Sequence, residues 1–288
     1  MKVLNVQGIC KRYDKFYLDD VSFSLDEGYI MGFIGSNGAG KTTTLKGILN
    51  VIHKDAGTVE IFGKNIDGNE IALKQDIAFM MGSSDYYPGR KLKTISSIVQ
   101  RFYSNWNQEA YEGYLKRFKL DPEKKVKELS QGMRIKFALT LALSHNARFI
   151  ILDEPTSGLD PVARDNLLEL FQELVEKGDK SILFSTHITS DLEKCADYIT
   201  YINNGRIIES TTKDDLLDKY RLVNGSEDDL NGMKEDMVSS KKNSFGFTGL
   251  IETVKLKPYK GINAEVPTLD DIMIYYAKKE EDNAQFNI

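Results

Sequence analysis

Hydrophobic positions change period several times along this chain, and each change marks an element. VLNVQGI at 3–9 and FYLDDVSFSL at 16–25 alternate apolar and polar residues. Alternation of that kind predicts short antiparallel strands with one face buried, broken at Asp19-Asp20. YIMGFIG at 29–35, RFIILD at 148–153 and KSILFSTH at 180–187 are denser apolar runs, as expected of parallel strands covered on both faces. Between them the period lengthens. TTTLKGILNVI places Leu45, Ile48, Leu49 and Ile52 on one helical face, and ARDNLLELFQELVEKG is a second helix stopped by Gly178. GTVEIFG at 57–63 returns to the strand period.

From about Thr94 to Ser144 the spacing is helical, with Ile95, Ile98, Val99, Phe102, Tyr103 and Trp106 in register and a break at Asp121-Pro122. MRIKFALTLALS is apolar on nearly every side, which predicts a deeply buried helix. Strands alternating with helices define an α/β protein with a parallel sheet. Past Tyr220 the composition turns polar and charged, and VNGSEDDLNGMKEDMVSSKKNSFG reads as surface structure. GLIETVKLK is strand-like, and Thr268 with Asp271 has the spacing of a helix capping box. The expected division is residues 1–220 as the main domain, with a helical part at about 85–145, and 221–288 as a small accessory unit.

The remaining bulk properties narrow the class. The chain has 288 residues, is 41% hydrophobic and carries a net charge of −5. That length supports a large core, and the weak acidic balance gives no electrostatic case for nucleic-acid binding. Cys10 and Cys195 have no metal-like spacing and read as reduced intracellular thiols. The first residues, MKVLNVQGICKRYDK, lack the apolar stretch of a secretory signal, and no segment approaches the ~18–20 apolar residues that span a bilayer. A membrane connection is therefore expected only through a partner.

Chemistry concentrates at the ends of the apolar runs. GSNGAGKT at 35–42, between a strand and a helix, is a phosphate loop. Gly35, Gly38 and Gly40 allow the tight turn, and the helix N-terminus adds partial positive charge. Lys41 supplies a full charge to the β- and γ-phosphates, and Thr42 a hydroxyl to Mg²⁺. Asp153 ends its strand beside the loop as the Mg²⁺ anchor, directly or through a bound water, and Glu154 follows as candidate general base for a water attacking the γ-phosphate. His187 ends the neighbouring run, FSTH, placed to bridge the γ-phosphate and Glu154. His53 and His145 lack such a context and read as structural or exposed.

LSQGM at 129–133, lying between the phosphate loop and ILDEPTSGLD at 151–160, is the segment that sorts this chain among phosphate-loop proteins. With it the chain resembles the ATP-binding subunits of ABC transporters, of the bacterial exporter type grouped with antibiotic and peptide efflux. GSNGAGKT, LSQGM, ILDEP, SGLD and His187 carry the resemblance. It implies a RecA-like P-loop NTPase core with an antiparallel β-subdomain, an α-helical subdomain and a small α/β C-terminal extension.

The resemblance also implies ATP and Mg²⁺ as ligands, with Gly35, Ser36, Asn37, Gly38, Ala39, Gly40, Lys41, Thr42 and Thr43 around the phosphates. Tyr13 would lie against adenine, with Phe16 or Tyr17 as substitutes. Ser130 and Gly132 would cap the γ-phosphate bound to a second, facing cassette, in a homodimer or heterodimer, and Asp160 would lie at the same interface. A separate transmembrane permease would dock on the helical part, near Tyr86, Tyr87 and Pro88, which puts the protein on the cytoplasmic face of the membrane. Two departures stand out. Gly82 occupies the slot of a metal-sensing Gln, with Ser83, Ser84 or Asp85 as replacements, and Met133 stands where Gln is common. A soluble ATPase of this class acting on ribosomes or DNA would carry two cassettes or a long insertion, and a P-loop kinase or GTPase would lack LSQGM.

Overall fold

The computed structural model describes residues 1–81, 87–244, 246–259 and 261–285, with side chains described as far as 279. Contacts divide the chain into two units, Met1–Ser210 and Thr211–Ile288.

The first unit opens with β1 (Lys2–Tyr13) and β2 (Phe16–Asp26), a long antiparallel pair. The break expected at Asp19-Asp20 is a bulge within one strand. Asp20 takes φ +52, and the register slips between the pairs Ile9↔Val21 and Lys11↔Leu18. A short polar side chain tolerates that left-handed backbone, so the strand bends without ending. Next come β3 (Ile30–Ile34), α1 (Lys41–Ile48), β4 (Ala56–Ile61), β5 (Lys64–Asn65), α2 (Glu70–Lys74) and β6 (Ile77–Met80). Helix α1 is shorter than its sequence pattern: Leu45, Ile48 and Leu49 are buried, but Asn50 turns to φ +53 and leaves Ile52 beyond the end.

The helical part holds α3 (Leu92–Val99), α4 (Gln108–Arg117) and α5 (Gln131–Leu143). The single helical run expected through Trp106 is not formed. A 3₁₀ turn at Gln100–Phe102 ends α3, and Ile98 and Phe102 are 48% and 70% exposed rather than buried. Leu92, Ile95, Tyr111, Leu115, Phe137 and Leu141 form the core of this part. Helix α5 is buried as expected, with Phe137 and Leu139 essentially inaccessible.

The chain continues through β7 (Phe149–Asp153), α6 (Pro161–Val175), β8 (Ser181–Thr186), α7 (Thr189–Cys195), β9 (Tyr198–Asn203) and β10 (Arg206–Thr212). Two sheets result. One is antiparallel, in the order β2-β1-β4-β5, and the other has the order β10-β9-β3-β8-β7-β6. Strands β3, β7 and β8 are parallel neighbours and buried along their whole lengths. Their C-terminal ends therefore share one edge, where a doubly covered sheet binds its ligand. Phe33, Leu45, Phe149 and Ile151 join Leu4, Leu18, Leu25 and Ile61 in one apolar core between the sheets. Each such side chain contributes roughly 1.5–3 kcal/mol on burial.

The second unit contains α8 (Lys213–Lys219), β11 (Tyr220–Gly225), α9 (Glu227–Met233), β12 (Met237–Asn243), β13 (Gly246–Glu252), α10 (Thr253–Leu256), β14 (Asn263–Glu265) and α11 (Leu269–Gln285). The polar stretch after Tyr220 forms surface structure, as expected, with most of its residues exposed or half-buried. It supplies two strands of a four-stranded antiparallel sheet, β12-β13-β11-β14, around Val223, Leu230, Met233, Phe247 and Ile251. The predicted capping box forms: Thr268 N–H donates to Asp271 Oδ2 at 2.9 Å, and Asp271 N–H to Thr268 Oγ1 at 3.1 Å. Among the described residues, no helix is long and apolar enough to cross a membrane.

His145 is structural, as expected. It is 1% exposed, stacks on Tyr103 at 3.8 Å and donates Nδ1–H to the Gln75 carbonyl at 3.0 Å. Burial pushes its pKa below the ordinary 6.5. As pH falls, the unfolded chain takes up this proton before the folded chain does. The stability contributed by neutral His145 is therefore complete above pH 6.5 and lost as pH drops below that value. Urea midpoints measured between pH 7 and 5 should fall more steeply for the native protein than for His145→Gln.

Candidate functional site

Strand β3 delivers Gly35 to the sheet edge so tightly that a Cβ there would lie 2.3 Å from the Ile202 carbonyl oxygen. The following turn is pinned twice: Ala39 N–H donates to Ser36 O at 3.2 Å, and Gly205 N–H to Ala39 O at 3.0 Å. Gly40, at φ +113, closes against Leu18 and Phe16 of β2, where any side chain would clash. Over Gly38 the space is open. No side chain caps the start of α1, so its first N–H groups face outward as an anion site.

Lys41 is 6% exposed and curls over this loop. Its Nζ donates to Gly35 O at 2.7 Å and Ser36 O at 3.2 Å, and meets Glu154 Oε1 at 3.2 Å. Thr42 Oγ1 donates to Asp153 Oδ2 at 2.7 Å. The other carboxylate oxygen of Asp153 accepts from Ser185 Oγ at 2.6 Å. Residue pairing across the parallel sheet sets Asp153 opposite Ser185, which explains this contact. Thr42 and Asp153 together offer the hard oxygen donors that Mg²⁺ prefers, beside the loop that would hold the phosphates. The residues present therefore fit a Mg²⁺-nucleotide. Among the described residues, no group of three or more His, Cys, Asp or Glu side chains is placed to hold a metal ion on its own.

Glu154 adopts φ +50, a left-handed backbone that costs a non-glycine residue of order 1–3 kcal/mol. Two bonds hold it there: its N–H is shared between Ser185 Oγ at 2.9 Å and Ser185 O at 3.2 Å. The twist aims the carboxylate back over the loop. Oε1 faces Lys41, and Oε2 accepts from His187 at 2.8 Å. Because a carboxylate only accepts, His187 carries its proton on Nδ1.

The expected site residues thus fall into two groups joined through the turn after β7. Lys41, Thr42, Asp153, Glu154 and His187 meet directly. Ser130, Gly132 and Asp160 gather at the starts of α5 and α6. Ser130 is the N-cap of α5, accepting from Met133 N–H at 3.3 Å. Asp160 caps α6 through Val162 and Ala163 N–H at 3.1 and 3.0 Å. Tyr13 pairs with Phe16 at the β1–β2 hairpin and is 46% exposed, with Lys11 over its ring, while Phe16 lies closer to Gly40. Met133 packs against the helical core. Gly82, Ser83, Ser84, Asp85 and Tyr86 lie outside the described residues. Tyr87 is 77% exposed.

Two supporting residues escaped the sequence reading. Ser185 was visible only as a polar residue late in an apolar strand. Asp191, fully buried, accepts from Thr156 Oγ1 at 2.7 Å and Thr186 Oγ1 at 3.3 Å and pairs with Arg164. It thereby ties the turn after Glu154 to the strand end before His187. Its only sequence signal was an acid four residues past His187.

A β-sheet edge with a phosphate loop, an acid pair and a strand-end histidine defines a phosphate-loop nucleotide hydrolase. The family model for ABC transporters matches residues 18–157. The ABC transporter ATP-binding protein YtrB of Bacillus subtilis (strain 168) is 32% identical over 203 residues, covering 70% of this chain and 69% of that one. The bacitracin transport ATP-binding protein BcrA of Bacillus licheniformis is 31% identical over 206 residues, covering 71% and 67%. A solved ATP-binding subunit of an ABC transporter superposes with a TM-score of 0.67 at 29% identity, over 74% of this chain and 91% of that one. The chain belongs to the family of ABC transporter ATP-binding subunits, and it is an ATPase using ATP with Mg²⁺.

Removing the buried Asp191 carboxylate takes the ion-pair partner from Arg164, which keeps its bond to Ser190, and the acceptor from two buried hydroxyls. Asp191→Ala should destabilise the protein by about 3 kcal/mol, read as a lower urea midpoint, and slow ATP hydrolysis even where the variant remains folded.

Proposed function

We propose that this protein binds Mg-ATP between two facing cassettes and uses its hydrolysis to drive export through a separate transmembrane permease. The observation that carries the catalytic part is the Glu154 carboxylate, held from both sides by Lys41 at 3.2 Å and His187 at 2.8 Å beside Asp153. One relative's name supports the direction of transport: a Burkholderia orbicola protein, 32% identical over 232 residues and matched over 75% of this chain and 76% of its own length, is a Nod factor export ATP-binding protein.

The phosphates of ATP would lie on the N–H groups of Gly35, Ser36, Asn37, Gly38, Ala39 and Gly40 and of the first turn, Lys41, Thr42 and Thr43, with Tyr13 against adenine. Lys41 then exchanges its own loop's carbonyl oxygens for phosphate oxygens of higher charge. That exchange releases Glu154 Oε1, which takes a proton from the attacking water as the water oxygen bonds to the γ-phosphorus and the bond to ADP breaks. His187 keeps Oε2 engaged throughout, so the carboxylate stays oriented. When bound at Thr42 and Asp153, Mg²⁺ supplies charge neutralisation to the phosphates. General-base catalysis of this kind contributes about 10²–10⁴ in rate. Ser130 and Gly132 would cap the γ-phosphate held by a second copy, with Asp160 at the same interface.

Glu154→Gln keeps the shape of the site and removes the base. It is expected to bind ATP normally, lose at least about a hundredfold in turnover and accumulate as an ATP-dependent dimer by gel filtration. Turnover near that of the native protein would remove Glu154 from this role.

The permease segment would dock in a groove between the helical part and the α2–β6 segment. A depression of about 470 Å³ is lined by Ile71, Phe79, Val99, Phe102 and Leu141, and Ile71 and Phe102 are 85% and 70% exposed. Exposed apolar side chains around a concave surface mark an interaction site. This docking would hold the protein on the cytoplasmic face of the cell membrane. Phe102→Asp should move it from the membrane fraction to the soluble fraction of cells while leaving ATP binding intact.

A further inference from the structure

The x position of the L-S-x-G segment carries no role in the reading above, yet it makes the contact that joins the two halves of the site. Gln131, the first residue of α5, is exposed, and its Nε2 donates to the Ser157 carbonyl oxygen at 2.6 Å. The two residues are 26 apart in sequence. The amide lies flat over Gly158, where a Cβ would come within 2.7 Å of Oε1 and 2.8 Å of Nε2. Gly158 stands at φ +71, so that position is suited to glycine both by backbone and by the space Gln131 takes. One residue on, Gly132 faces the Leu159 side chain with room only for ordinary contact, 3.4 Å from a Cβ. The start of α5 and the SGLD turn are therefore packed together at consecutive positions.

The turn that Gln131 grips leads straight to the candidate base. Ser157 N–H donates to Glu154 O at 3.2 Å, and Leu159 N–H to Thr156 O at 3.2 Å. Thr156 is fixed in turn by Asp191. A path of hydrogen bonds thus runs from the head of α5 through one side-chain amide to Ser157, and from there through the backbone to Glu154.

We propose that Gln131 is a positioning residue for ATP hydrolysis: its amide clamps the signature turn to the SGLD turn, so both meet the second copy as one unit. The functional half of this inference rests on the shared-site reading above. The clamp requires an N–H donor at this reach. Methionine matches the length without donating, and asparagine donates but is one methylene shorter.

Two measurements test it. Hydrogen exchange on nucleotide-free protein reads the clamp alone. Gln131→Met should speed exchange of the amides at 157–160 at least about threefold and leave those of α1 unchanged. Equal exchange in the two proteins overturns the clamp, whatever the dimer does. Turnover and assembly read the function. Gln131→Met and Gln131→Asn should both lower kcat about tenfold with KM for ATP within about twofold. In the Glu154→Gln background, Gln131→Met should raise the protein concentration needed for ATP-dependent dimerisation about tenfold. A change in KM alone, or an unchanged dimerisation midpoint, overturns the positioning role. If Glu154→Gln itself never dimerises at saturating ATP, the shared-site reading fails and takes the positioning role with it, while the exchange result still decides the clamp.

Discussion

One buried carboxylate holds this site together. Asp153 is 4% exposed, and an unpaired charge at such depth would be prohibitive. It is tolerated because two hydroxyls donate to it, Thr42 from the first turn of α1 and Ser185 from the adjacent strand β8. Those donors belong to the phosphate loop's helix and to the strand that ends near His187. The same group that requires compensation thereby fixes the relative placement of the loop, the acid pair and the histidine. Ser185 serves twice, since its oxygen also accepts the Glu154 N–H.

Around this centre the support is asymmetric. The loop side is fixed by backbone: close glycine contacts at Gly35 and Gly40 and bonds from the β9–β10 turn at Gly205. The base side is fixed by side chains, with Asp191 gathering Thr156, Thr186 and Arg164 behind the turn. Phosphates vary little in shape, so a rigid backbone cradle suits them. A base of the kind proposed for Glu154 must shift partners during the reaction, and side-chain hydrogen bonds allow that without refolding the turn.

The parts of this arrangement that were legible in the chain are those encoded over short spans. GSNGAGKT, LSQGM and DEP announce themselves through residue type at fixed short spacing, and β3, β7 and β8 through unbroken apolar runs. The capping box at Thr268 and the cap at Ser130 are likewise local. Ser185, Asp191 and Gln131 were not legible, because their partners lie 32, 35 and 26 residues away and meet them only through sheet register and helix packing. Periodicity misled where an apolar position faces outward for a purpose. Ile98 and Phe102 continue the helical spacing but are exposed, and Phe102 lines a groove. In β2, two aspartates looked like an end and proved to be a bulge.

Glu154 is the residue least suited to its own backbone. At φ +50 the chain favours glycine, and glycine there would relieve strain while deleting the carboxylate that faces Lys41 and His187. Fold and chemistry therefore make opposite demands on a single position. With Glu154 as the base proposed above, a search for sturdier versions of this protein, scored by melting alone, would drift toward molecules that still hold their shape and no longer turn over.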